Sequence, residues 1–372
     1  MVWAVQAVTE GKAKLNSLMA LGRTADTAVK EKATERIVFL PLDSARAEWE
    51  SLVNSSPAAD LYHRLRWIDL IRRTYRLKVF VAFLRVGARV LAGCIFARSP
   101  NPFVNRLVAL PFSDACQPLG TDEHAQQKLL AGLALGSIQA FEVRGFAAPR
   151  PWDTVTCFVN WQLDLSRSVA HLYRNLAANF RRNVLKGSRS GVKIECVDDT
   201  AGLRRFCVLH DQTRTRQGLP SQPARFFDRL YRSFHAGDDL EVWLASHVGR
   251  DLGSVLVLRD GSSVYYKWSA RVDGDTTGAG HLLLWSIVEA YAEKAEVLDL
   301  GRCDQRNYGL SRFKRESGAS SSVLPYSFLP HAPKNVSPEV RSGYRQVSAR
   351  VWQHLPTKLR HAISSVGYRY LA

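Results

Sequence analysis

No two cysteines stand close together in this 372-residue sequence. The six, at positions 94, 116, 157, 196, 207 and 303, form no C-x-x-C pair and have no clustered histidines beside them. That spacing excludes a zinc site and a small disulfide framework. It leaves thiols that fill core space in a reducing compartment, and no metal is expected. A long apolar run is missing as well. The longest uncharged apolar stretch, Leu129–Phe141, has 13 residues, against about 20 needed to cross a bilayer. The first 36 residues lack the basic start, apolar middle and small-residue cleavage site of a secretory signal. Residues 1–36 therefore read as a flexible extension of a cytoplasmic protein.

Carboxylates are scarce, and their scarcity is local. The chain carries 51 Lys and Arg against 34 Asp and Glu, a formal charge of +17. Residues 166–193 hold seven cations and no carboxylate, and residues 331–372 hold seven cations against Glu339 alone. The remainder, with 37 cations and 33 carboxylates, is nearly neutral. A plain nucleic-acid-binding module would spread its charge over one surface, whereas this is an ordinary globular body bearing two basic patches. Apolar content of 46% and charged content of 23% match soluble globular chains, and the length suggests two or three domains.

Periodicity supplies the organisation. Ser44–Val53 has helical spacing behind a Ser44 N-cap, and Trp67–Tyr75 is a second helix. Lys78–Arg85 and Arg89–Ala97 read as two strands around Gly87, Arg106–Leu110 as another, and Glu123–Phe141 as a helix. After a strand over 155–163, Ser166–Lys186 is expected as one helix. Leu172, Leu176, Phe180 and Val184 form its buried stripe, and Asn175, Asn179, Arg182 and Lys186 form another face. The order then repeats: a strand, two helices (Gly202–Gly218, Ala224–Phe234), three strands ending in Ser263–Ser269, a helix (His281–Lys294) and a strand (Val297–Leu300). Domains are expected at 37–163 and 164–330, followed by a basic amphipathic tail over 331–372. In the tail, Val347, Val351, Trp352 and Leu355, then Leu359, Ile363, Val366 and Tyr370, interleave with cations. An interfacial helix on anionic lipid needs that pattern, and docking back on the body would use it equally well.

The second half carries more specific marks. Asp299-Leu-Gly301-Arg302-Cys-Asp304, then Tyr308-Gly309-Leu310, then Phe313-Lys314 and Gly318-Ala319 resemble the closing segment of FemAB-like acyltransferases. That group includes the peptidoglycan interpeptide-bridge aminoacyltransferases and the CelD/BcsL-type acetyltransferases of exopolysaccharide synthesis. Tyr62-His63, Leu110-Pro111-Phe112 with Asp114, Arg181-Arg182, Gln217-Gly218 and Tyr265-Tyr266 extend the resemblance across residues 37–330. It implies an α/β (α+β) fold: tandem GNAT-like domains with mixed, largely antiparallel sheets flanked by helices. It also implies N-acyl transfer to an amine of a cell-wall or exopolysaccharide precursor, with acyl-CoA or aminoacyl-tRNA as donor.

Acyl transfer to an amine needs a deprotonated nucleophile, a donor held beside it, and positive charge where the oxyanion grows. Lys314, read as a loop lysine rooted by Phe313, is the candidate for polarising the donor carbonyl or holding an anionic group. Tyr266 is the candidate for protonating the leaving group, with a packed core tyrosine as the alternative. Asp299 is a candidate amine-activating base, or else the partner of Arg302. His281 is a candidate base that could equally cap its helix. Gly278 and Gly280 precede a helix in the manner of an anion cradle for a cofactor. Asp275, however, stands three places before Gly278, where coenzyme-A-binding relatives carry Gln or Arg. Lys267 and Trp268 are expected to line a pocket, with Arg302, Asp304 and Tyr308 nearby. Arg182, Lys186 and Asn179 suit an anionic acceptor, a nucleotide- or lipid-linked sugar, or a tRNA backbone. The alternative readings are a catalytically inactive acyltransferase-fold scaffold of polysaccharide machinery and a basic nucleic-acid-binding protein. Contact with the inner membrane through the tail is a separate expectation.

Overall fold

The computed structural model describes residues 34–99, 105–136, 139–235, 239–333 and 352–371. The expected extension falls on residues 1–33, outside that set, except that Glu35 and Arg36 already belong to the first strand. Val347 and Val351 of the tail also lie outside it.

The first half runs β1 (Glu35–Pro41), α1 (Leu42–Ser55), α2 (Leu65–Tyr75), β2 (Val79–Val86), β3 (Arg89–Arg98), β4 (Arg106–Val108), β5 (Leu119–Gly120), α3 (Glu123–Gly136) and β6 (Ala140–Arg144). Gly87, at φ +58°, makes the tight turn between β2 and β3. α2 buries Trp67, Ile68, Leu70, Ile71, Thr74 and Tyr75 on one face and leaves its arginines outside. It stops where Arg76 turns left-handed at φ 54°.

The second half runs β7 (Asp153–Asp164), α4 (Val169–Asn175), α5 (Ala178–Arg189), β8 (Lys193–Val197), α6 (Thr200–Arg216) and α7 (Ala224–Ser233). The meander β9 (Leu240–His247), β10 (Arg250–Asp260) and β11 (Ser263–Arg271) follows. Then come α8 (Ala279–Tyr291), β12 (Val297–Asp304), α9 (Tyr308–Glu316), β13 (Ser320–Leu329) and the tail helix α10 (Thr357–Gly367). Asp199 caps α6 by accepting the Gly202 N–H at 2.6 Å, which starts that helix two residues before the expected one.

The repeated plan is present, but the two halves merge into one 13-stranded mixed sheet in the order β1-β2-β3-β4-β6-β13-β7-β12-β11-β10-β9-β8, with β5 beside β3. The joint is the antiparallel pair β13–β6, with Tyr326 opposite Arg144 and Leu329 opposite Phe141. β7, which precedes the 163/164 boundary, pairs on both sides with strands of the second half. One hydrophobic core also crosses between halves, joining Trp49, Trp67 and Phe83 to Phe206, Phe226 and Phe227. Trp67 stacks on Trp268 with ring centroids 6.2 Å apart. A second core packs α4, α5 and α8 against β7, β10 and β12.

The sequence reading lacked β1, β5 and α9 and placed a Ser44 cap on α1, which starts at Leu42 behind Pro41; three further elements differ from it. Ser166–Lys186 is two helices, because Leu176 and Ala177 are extended and the Ala177 N–H goes to the Glu316 carbonyl instead of a helical partner. Asn175 therefore sits on α4, where its side-chain nitrogen meets His171 Nε2 at 2.8 Å, and it shares no helix face with Asn179, Arg182 and Lys186. Glu123–Phe141 is helical only to Gly136, and its end contributes to strand β6. β13 was not expected at all. Its first four residues, Ser320–Val323, are exposed, and Pro325 interrupts its register against β7, so no alternation marks it.

Candidate functional site

β11 and β12 run parallel for only three residue pairs, Ser263–Val297, Val264–Leu298 and Tyr265–Asp299, and then separate. Side chains beyond the last pair border a cavity of about 610 Å³, within the size range of small-molecule sites. β11 is bulged there: Leu256 of β10 faces Lys267 while Ser254 faces Ala270, and Trp268 lies at φ +49°. An aromatic residue at positive φ is strained. The bulge overrides strict alternation, so Tyr266, Lys267, Trp268 and Ser269 all reach the cavity wall.

Lys267 is buried, and its Nζ donates to Asp114 Oδ2 at 2.6 Å and to the Tyr62 hydroxyl oxygen at 2.9 Å. The Tyr62 hydroxyl in turn donates to Asp114 Oδ2 at 2.9 Å. Burial alone would raise the Asp114 pKa, but the charges of Lys267 and Arg302 with the Lys267 and Tyr62 hydrogen bonds outweigh it and hold the carboxyl well below the usual range. The loop delivering Asp114 has Leu110 at φ 41° and Phe112 at φ 65°, a second strained segment at the same place. Trp67 Nε1 donates to Ser113 Oγ at 2.9 Å and secures that loop.

Arg302 points across β12 to the joint between the halves. It donates to the Tyr326 hydroxyl oxygen at 2.7 Å, and that hydroxyl donates to the Asp114 carbonyl at 2.7 Å. Its guanidinium lies 4.6 Å from the Phe158 ring centroid. The expected alternative of an Asp299–Arg302 pair is not formed. Asp299 instead accepts from Asn160 at 2.8 Å, Gln162 at 3.1 Å and the Gly301 N–H at 2.6 Å, and burial pushes its pKa up. It sits behind the strand and contributes nothing to the cavity lining.

Lys314 lies in a helix, not a loop. Asn307 caps α9 through the Leu310 N–H, and Lys314 in the next turn is 6% exposed. Its Nζ donates to the Gly301 carbonyl at 2.8 Å. Burial lowers its pKa to about 8, against the pull of neighbouring acidic groups such as Asp114 and Asp299. Phe313 packs against Phe180 and His281, with centroids 5.5 and 5.2 Å away, and anchors the helix from its other side.

The cavity gathers Lys314, Tyr266, Lys267, Trp268 and Arg302 from the sequence-predicted set. Others lie elsewhere. His281 is wedged between Phe180 and Phe313, and burial lowers its pKa. Asp304 accepts the Arg306 N–H at the turn into α9, and Tyr308 is 77% exposed beside it. Gly278 is explained by packing: at φ +90°, a Cβ there would stand 2.3 Å from the Asn183 carbonyl oxygen of α5. Gly280 faces open space, and the Asp275 carboxylate is turned onto its own loop, accepting from Thr277. Arg182 and Lys186 line a separate, shallower concavity of about 560 Å³ on α5 with Arg181 and Arg189. Asn179 is tied to Glu316 at 3.1 Å.

Sequence reasoning gave Tyr62 and Asp114 no role, and it missed Arg106, Glu142, Arg144 and Tyr326, which also line the cavity or hold its wall. Arg144 Nε donates to Glu142 Oε1 at 2.8 Å, and Arg106 lies 3.4 Å from Glu142 Oε2. One signal was available, because Glu142 and Arg144 alternate within an otherwise apolar strand. Six cations (Arg106, Arg144, Arg214, Lys267, Arg302, Lys314) face two carboxylates around the cavity, with aromatic rings between them. That arrangement suits an anionic ligand. Among the described residues, no group of three or more His, Cys, Asp or Glu is placed to hold a metal.

Known proteins resemble the chain in sequence and in fold. Residues 174–315 match the model of the acetyltransferase (GNAT) domain family. The UDP-N-acetylmuramoylpentapeptide-lysine N(6)-alanyltransferase of Weissella viridescens is 22% identical over 153 residues, 41% of this chain. The match spans 43% of that relative's length. Among solved structures, FemX superposes with a TM-score of 0.57 at 14% identity, covering 81% of this chain and 98% of FemX. L-PGS from Bacillus licheniformis superposes at 0.50 and 12% identity, covering 88% of this chain and 100% of L-PGS. Residues 174–315 thus carry a segment similar to the acetyltransferase (GNAT) domain, and the chain as a whole shares the fold of FemX.

Proposed function

We propose that this protein transfers an acyl or aminoacyl group to an amine of an anionic, nucleotide- or lipid-linked cell-wall precursor, within the cavity between β11 and β12. The observation that carries the reading is Lys314, an almost fully buried ammonium held on the Gly301 carbonyl where the two strands part, among five further cations.

In the reaction, the acceptor amine gives up a proton to solvent water and its nitrogen bonds to the acyl carbon. The carbonyl oxygen takes the negative charge, and the bond to the donor's sulfur or ribose oxygen then breaks. Lys314 has donors beyond the one used on Gly301 and can place one on that oxyanion. Tyr266, on the cavity wall with burial keeping its hydroxyl protonated, supplies the proton for the leaving group. Arg302, Arg144 and Lys267 grip the acceptor's phosphates, and Asp114 holds Lys267 in position for that task. The basic α5 face suits the phosphate backbone of a charged tRNA, whereas acyl-CoA would need the α8 N-terminus beside Gly280.

Intact-mass analysis of a UDP-linked muramoyl pentapeptide tests this, with the protein supplied acetyl-CoA in one reaction and charged tRNA in another. The expected result is one added acyl or aminoacyl group with one donor. No product from either donor on nucleotide- and lipid-linked precursors alike would favour the inactive scaffold instead.

A further inference from the structure

The tail helix α10 docks on the body by its polar edge. Ser364 and Tyr368 are the buried positions, 3% and 9% exposed. Tyr368 stacks on Tyr75 and packs against Phe112, with centroids 5.9 and 5.4 Å away, and it forms part of the cavity wall. Arg225 of α7 donates to the Ser365 carbonyl, and His361 lies 3.4 Å from Asp211 of α6. The opposite side of the helix carries Leu359, Ile363 and Val366, continued by Tyr370, and these are 46%, 41%, 65% and 46% exposed. Steps of four and three residues put Leu359, Ile363 and Val366 on one stripe, and Tyr370 follows in the 3-10 turn Tyr368–Leu371.

A helix whose purpose was to dock would bury that stripe and expose Ser364. This one does the reverse. Its surroundings are cationic: residues 340–372 contain no carboxylate, and Lys358, Arg360 and Arg369 lie on or beside the helix. Around the docking patch, Arg225 and Arg229 of α7 and Arg73 of α2 add charge, with Arg229 donating to the Arg73 carbonyl. Asp211 is engaged by His361, and Asp228 of α7 is the exposed acid of the adjoining helix.

We infer that this face of α10 lies on the surface of an anionic phospholipid bilayer. The apolar stripe enters the headgroup boundary, and the flanking arginines and lysine meet lipid phosphates. Because Tyr368 joins the same segment to the cavity wall, membrane contact brings the cavity beside the lipid surface. The inference holds whatever the donor and acceptor are.

Vesicle flotation of the full chain tests it, using phosphatidylcholine vesicles with and without phosphatidylglycerol. The chain should float with phosphatidylglycerol-containing vesicles, less so as salt rises, and should remain behind with phosphatidylcholine alone. The double variant Ile363→Glu, Val366→Glu changes only exposed positions. It should lose at least about tenfold in bound fraction while keeping the parent's circular dichroism. The reversal Lys358→Glu, Arg369→Glu should lose binding as well. Absence of flotation, equal flotation on both vesicle types, or unchanged binding by the glutamate variant would overturn the inference. So would a lipid-free dimer that the glutamate variant converts to monomer, since a second copy would then be what covers the stripe.

Discussion

Lys314 Nζ donates to the carbonyl oxygen of Gly301 across 2.8 Å, pinning α9 to the bulge at which β12 leaves β11. A buried ammonium so placed is destabilised relative to water, which is why its pKa falls to about 8. If Lys314 acts as an ammonium, the rate should decline as pH rises through about 8, and Lys314→Gln should lack that limb. Stability should move oppositely. The folded state sheds this proton at lower pH than the unfolded chain does, so this group's contribution rises between about 8 and the ordinary lysine value of 10.5. Rate–pH profiles and urea midpoints against pH read the two effects separately.

Asp114 and Lys267 form the second coupled pair. Asp114→Asn should leave Lys267 buried without its counter-charge and destabilise the fold by about 3 kcal/mol. Lys267→Met added to it should recover part of that loss. A double-mutant cycle in urea measures the coupling. Because the Asp114 pKa is depressed on folding, its contribution is present above the ordinary carboxylate value of 3.8 and disappears as the solution is acidified below it.

The glycines before α8 should respond differently. Gly278→Ala meets the Asn183 carbonyl oxygen at 2.3 Å with φ at +90°, and a loss of about 2 kcal/mol or more is expected. Gly280→Ala points into open space and should alter stability by less than about 0.5 kcal/mol. If acyl-CoA is the donor, Gly280→Ala should raise the KM for it, while a tRNA-dependent reaction should be indifferent. Thermal melts and donor titrations decide both points.

Tyr266→Phe removes one hydroxyl from the cavity wall. Loss of a general acid should lower kcat by about 10²-fold or more with little change in KM. A Tyr266 that only packs would keep kcat, so steady-state kinetics separate the roles.

The tandem plan was legible because apolar periodicity marks α2, β2, β3 and β9 to β11 locally. The Phe313-Lys314 motif was legible because its residues are adjacent. What could not be read was long-range. Asp114 meets Lys267 from 153 positions away, and Arg302 meets Tyr326 through a strand whose polar start and Pro325 hide it. The break at Leu176–Ala177 depends on the Glu316 carbonyl, a tertiary partner absent from any local window. The tail's apolar stripe was visible, but its outward orientation follows from Tyr75 and Phe112 capturing Tyr368.

The account turns on the cation at the parting of two strands, and one comparison tests it most directly. Product formation by Lys314→Ala and the parent protein should be followed by mass under identical conditions, with melting curves showing that both are folded. The account predicts a fall of about 10²- to 10³-fold in kcat/KM. A folded Lys314→Ala protein that forms product at the parental rate would contradict it.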